Sequence, residues 1–248
     1  MSSRRLRIAV GLDDRLPLTC TREGACCRGH RIPLLPWELA RIARHHGVDP
    51  RTARERWTEH GVRLAVVPDR GSFRCVFADH PLGCGVHGVR PLPCRLFPLA
   101  RERIGDRVAW WFPGPDLPCL SRCPSVTATP PVTVRAWLAT QDLDLHTRAS
   151  DAAGDLVAGL HDLIARLGGA TASVPQGIPD LVAALGPAWF DHATIPPIAA
   201  EDPRSFAAEH GRLLTLAASA DPDHAADRLA LVAALLGEAA GVAGSQSE

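Results

Sequence analysis

Two patterns of apolar and polar positions divide this chain. From residue 134 onward, apolar residues recur at helical spacing in VRAWLATQDLDLHTRASDAAGDLVAGLHDLIARL, which Gly168 and Gly169 stop. IPDLVAALGPAWF, DPRSFAAEHGRLLTLAASA and DPDHAADRLALVAALLGEAAG continue the pattern. The last two open on Asp-Pro, an N-cap followed by proline at the first helical position. Such Leu/Ala stripes predict helices packed through a core.

Before residue 124 the pattern breaks into short pieces. PWELARIARHHGV, 36–48, predicts a helix with Leu39, Ile42 and Ala43 on one face, Pro36 in the first turn and Gly47 at the end. PRTARERW predicts a second helix from Pro50. FRCVF, 73–77, predicts a strand. LFPLARERI and RVAWWF flank Gly105-Asp106 and predict a β-hairpin, in which Trp110 and Trp111 pack. PSVTATPPVTV, 124–134, has the Pro/Thr content of a linker and sets a boundary between 1–125 and 126–248. The expected fold is therefore mainly α with a small β component: a cysteine-bearing N-terminal domain with short strands, and a helical C-terminal domain.

Charge follows the same division. Residues 1–125 hold 21 Arg against 12 acids, and residues 126–248 hold 6 Arg against 15, for a net charge of zero. The basic half could face an anionic cofactor or the acidic half. Nucleic acid ranks below these, because no basic run is interleaved with aromatics. All 27 basic residues are Arg, with no Lys and no Tyr. No apolar run reaches the length of a membrane span. The N-terminus MSSRRLRIAVGLDDR lacks the pattern of a secretory signal, so a cytoplasmic location is expected.

Cysteine placement changes the picture most. Cys20, Cys26, Cys27, Cys75, Cys84, Cys94, Cys119 and Cys123 all precede residue 124. Disulfides suit secreted chains rather than a reducing compartment. Separate burial of single thiols does not explain eight in one half and none in the other. Metal ligation remains, because thiolates are soft ligands for zinc or iron–sulfur clusters. Zinc sites favour close pairs such as C-x2-C, which this chain lacks, whereas cluster ligands tolerate wider spacing. The P-loop, GxGxxG, HExxH and GxSxG motifs and the C-x3-C-x2-C triad of radical chemistry are absent.

CTREGACCRG, then Cys75, then CGVHGVRPLPCRLFP resemble the zinc- or iron-chelating CxxCxxCC domain of the YkgJ-type cysteine-cluster family. Cys20, Cys26, Cys27, Gly29, Ile32 and Glu38 fit its first block. Cys84, Val86, His87, Arg90, Pro91, Cys94, Arg95, Phe97 and Pro98 fit its second. The resemblance spans roughly 18–100, with Cys119 and Cys123 as an extension, and has two departures. Glu23 stands where the family has a cysteine, and His87 stands where tyrosine is common. The resemblance implies a metal centre, with an iron–sulfur cluster of the 4Fe–4S type expected and zinc as the alternative. Redox or cluster-dependent modification chemistry would follow. The related flagellin lysine-N-methylases suggest a protein-modifying enzyme as one alternative, and a structural zinc module is another. Arg90 and Arg95 are expected to face the cofactor, and Arg28 either does so or pairs with an acid. The partner would be an unidentified protein or small molecule.

Overall fold

The computed structural model describes residues 7–155 apart from 18, 21–23, 60–62, 70, 79–82, 115–116, 118–119, 121, 124–125, 127 and 152–153. The helical patterns beyond residue 155 lie outside the described residues. Two compact units are distinguished, one of Met1–Ile32 and Ala65–His146, the other of Pro33–Leu64 and Thr147–Glu248.

In the first unit, the Gly105-Asp106 turn makes the expected hairpin. β6 (Ala100–Ile104) pairs antiparallel with β7 (Arg107–Phe112) from Ala100 opposite Trp111 to Ile104 opposite Arg107. Gly105 takes φ +58, a left-handed conformation that costs glycine little. β1 (Ile8–Val10) adds to the other edge of β7, with Ile8 opposite Phe112, giving the order β1-β7-β6. A second hairpin joins β4 (Val66–Asp69) to β5 (Ser72–Cys75), with Val66 opposite Cys75. α3 (Leu92–Leu96) follows a 3-10 turn at His87–Val89, and α4 (Val134–Ala139) follows later.

Side chains successive along a strand point to opposite faces, so Val10 and Phe112 share the inner face of the three-stranded sheet. They close over a core of Leu16, Leu99, Leu117, Cys123, Val126 and Val134. The stretch that reads as a linker is tied down by backbone pairing. Leu16 N–H donates to the Val132 carbonyl at 2.8 Å, and Val134 N–H to that of Asp14 at 2.9 Å. Thr133 caps α4 by accepting from the Ala136 N–H.

The second unit contains α1 (Pro36–His45), α2 (Pro50–Trp57) and the two-residue strands β2 (Thr58–Glu59) and β3 (Arg63–Leu64), which pair antiparallel. On α1 the expected face of Leu39, Ile42 and Ala43 is buried, joined by Trp37. The Glu38 carboxylate accepts from the Leu35 N–H at 3.0 Å, and Gly47 ends the helix at φ +66. Asp49 caps α2, accepting from the Thr52 N–H at 2.9 Å. Hydrogen bonds from the Thr52 hydroxyl, first, and from the Thr52 N–H hold its carboxyl below the usual range. Asp49→Ala should cost about 1 kcal/mol in chemical denaturation, as loss of an N-cap does.

The described residues correct the expectation of a mainly helical fold. They form a mixed structure of short helices and three small antiparallel sheets. The helical expectation drew its weight from the long stripes after residue 155. In the first half, turn-forming Gly and Pro interrupt the chain every few residues and leave room only for short strands and helices of ten residues or fewer.

Candidate metal centre

Three stretches far apart in sequence bring thiols into one neighbourhood. The first is the 3-10 turn Ala25–Cys27, bracketed by Gly24 at φ +81 and Gly29 at φ +73. Cys27 N–H closes the turn onto the Gly24 carbonyl at 3.0 Å. Gly29 N–H donates to the Phe73 carbonyl at 2.9 Å, and Arg28 bridges to Arg74, so the segment lies along β5. Cys75, at the end of β5, is the second thiol. Cys84 is the third, on the loop where Gly85 N–H donates to the Phe77 carbonyl. The Cys27 thiol reaches the Gly83 carbonyl at 4.0 Å.

The charges of these thiols act on one another. Burial pushes the Cys75 thiol up to about 11, and the charges of Cys27 and Cys84 push in the same direction. Burial likewise raises Cys84, where Cys27 adds to the rise and Arg90 opposes it. Cys27 rises further, first through a hydrogen bond with Cys26 and then through burial. Each thiolate makes the next harder to form, and a bound cation would remove that penalty.

The donor set fits a metal in kind, being soft sulfur held in a partly dry site. Among the described residues, no group of three or more His, Cys, Asp or Glu is placed so that it could hold a metal ion. No disulfide joins the described cysteines. Cys94 is half-buried on α3, and Cys20 is exposed. Cys123 is 3% exposed inside the apolar core, and Cys26 packs against that core. Cys119 and Glu23 lie outside the described residues. Trp110 and Trp111 are half-buried on β7, with Trp111 Nε1 donating to Glu102 at 3.0 Å.

The arginines have defined partners. Arg28 pairs with Asp69 at 2.7 Å. Arg90 Nη1 donates to the His87 carbonyl at 2.6 Å and lies 3.2 Å from His87 Nδ1. Because a guanidinium has no acceptor, Nδ1 must carry the lone pair and Nε2 the proton. His87 in that state offers no free nitrogen lone pair to a metal. Arg95 is 3% exposed. Its Nε donates to the Arg90 carbonyl at 3.1 Å, Nη1 to that of Gln141 at 2.9 Å and Nη2 to that of Gly88 at 2.6 Å. Gln141, not singled out by its sequence, also accepts from Arg90 Nη2 through Oε1 at 2.8 Å.

Residues 19–111 match the family model CxxCxxCC, "Putative zinc- or iron-chelating domain". Over this stretch the chain is similar to that family. The matched family is the one that the two cysteine blocks resemble, and its description is zinc or iron chelation. Neither the curated proteins nor the solved structures contain a match to the chain. Among the described residues, no helix is long and apolar enough to cross a membrane.

A pH dependence follows for the metal-free protein. The fold keeps the Cys75, Cys84 and Cys27 thiols protonated above their ordinary value of about 8.5, whereas the unfolded chain does not. The unfolded state therefore binds fewer protons, and stability falls as pH rises from about 8.5. The Cys75 contribution is lost by about 11. With no Lys or Tyr in the chain, cysteines are the side chains that titrate in this window. Urea denaturation at pH 7.5, 9 and 10.5 should show this fall, and added zinc should suppress it.

Proposed function

We propose that the chain binds an iron–sulfur cluster of the 4Fe–4S type through Cys27, Cys75, Cys84 and Cys94, and that the cluster serves redox or cluster-dependent modification chemistry. What carries this reading is the way backbone bonds lay the Cys27 turn along the strand that ends at Cys75 and bring the Cys27 thiol to the Gly83 carbonyl beside Cys84. These thiols come from a turn, a strand end and a loop, without the paired short knuckles of a structural zinc site. Cys94 completes the set because α3, which carries it, follows the loop that begins at Cys84, and Arg90 and Arg95 hold that loop. Cys26 and Cys123 face the apolar core and act as packing groups. A cluster of this kind supplies one-electron transfer. The chain supplies the thiolates, keeps water from Cys75 and places the Arg90 cation beside Cys84. A cytoplasmic location belongs to the same reading, since thiolate ligands persist in a reducing compartment.

Mössbauer and visible spectra of protein purified without oxygen test it. A brown preparation with the signature of a four-iron cluster is expected. A colourless preparation holding one zinc per chain would replace the cluster with the zinc alternative.

A further inference from the structure

We propose that Gln141 is a positioning residue for the metal centre: it clamps Arg90 and Arg95, and through them the loop from Cys84 to Cys94. The proposal rests on the metal-binding reading above and adds a residue thirty positions beyond the CxxCxxCC domain match.

The clamp has two grips. Gln141 Oε1 accepts from Arg90 Nη2 at 2.8 Å, and the Gln141 backbone carbonyl accepts from Arg95 Nη1 at 2.9 Å. Gln141 is itself 6% exposed, and its Nε2 donates to Thr140 Oγ1 at 2.8 Å, which fixes the amide orientation. Asp142 next in sequence takes φ +50, a left-handed conformation that Asp adopts more readily than most non-glycine residues and that turns the chain here. This turn directly follows the carbonyl that Arg95 holds. The Asp142 carboxylate lies 3.9 Å from Arg95 Nη1.

The other ends of both arginines hold the ligand loop. Arg90 reaches the His87 carbonyl, and Arg95 reaches those of Gly88 and Arg90. Those three carbonyls lie between Cys84 and Cys94. α3, which carries Cys94, is only five residues long and too short to hold its own position. Residues that orient metal ligands without touching the metal typically control affinity by 10- to 100-fold.

The test uses the full chain and zinc as the probe, with affinity measured by competition against a chelator and amide hydrogen exchange followed over 87–95. Gln141→Leu removes the Arg90 grip, Gln141→Glu keeps an acceptor there, and Asp142→Gly fits φ +50 without strain. Gln141→Leu should weaken zinc 10- to 100-fold and speed exchange over 87–95. Gln141→Glu and Asp142→Gly should hold both within about 3-fold of the wild type. Unchanged affinity in Gln141→Leu, with a lowered melting temperature alone, overturns the proposal. Should Gln141→Leu not fold, Gln141→Asn, one methylene too short to reach Arg90, takes its place with the same expected loss. Should the wild type take up no zinc, the metal reading fails for that ion, and exchange alone judges the clamp: faster exchange in Gln141→Leu supports it, and unchanged exchange overturns it.

Discussion

Arg95→Met should destabilise the protein by about 2–4 kcal/mol and abolish stable metal loading. The side chain of Arg95 lies almost wholly out of water, and its nitrogens hold the carbonyls of Gly88, Arg90 and Gln141. Methionine fills a similar volume but leaves those carbonyls unpaired, at about 1–3 kcal/mol for each buried group. Relief from burying a charge offsets part of that cost. Arg95→Lys should recover less than half of the loss. One ammonium cannot span three carbonyls that a planar fork reaches together. Equilibrium unfolding in urea gives the stability change, and metal per folded chain gives the second effect.

Cys75→Ser should reduce bound metal to below about a tenth of one site per chain, while Cys123→Ala leaves it unchanged. Both thiols are buried, at 8% and 3% exposure, so burial alone does not separate them. Their surroundings do. Cys75 lies among Cys27 and Cys84, whose charges act on it, and a metal joins such groups by displacing their protons. A serine hydroxyl does not ionise near neutral pH and is a poor ligand for soft metals. Cys123 lies among Leu16, Leu99, Phe112 and Val134, where it behaves as a small apolar side chain. Its replacement by alanine should cost about 1 kcal/mol in stability.

Local signals made parts of this fold legible. α1 announces itself through Pro36, Gly47 and the Leu39, Ile42 and Ala43 face, and the β6–β7 hairpin through Gly105-Asp106, because each signal acts within a few residues. β1 and the β2–β3 pair carry no readable period, since two or three residues cannot show one. The candidate site was legible as a set of cysteines, through a resemblance spread over two blocks. Spacing did not reveal that Cys123 joins the apolar core whereas Cys27, Cys75 and Cys84 gather together. Arg90 and Arg95 stood out by their motif and were expected to face a cofactor. In the structure they reach backbone carbonyls and Gln141, a partner 46 residues beyond Arg95. Such long-range pairing leaves no mark at the level of residue type, and a glutamine after an amphipathic helix looks like any surface residue.

On the proposed reading, thiols gathered from three stretches of the region matching the CxxCxxCC family hold one metal centre. The most direct measurement is metal and sulfide content per chain, by mass spectrometry of anaerobically purified protein, for the wild type, Cys75→Ser, Cys84→Ser and Cys123→Ala. One four-iron, four-sulfide centre in the wild type and Cys123→Ala, lost in both Cys75→Ser and Cys84→Ser, is the predicted result. A wild type without bound metal, or metal retained undiminished in both serine variants, would contradict it.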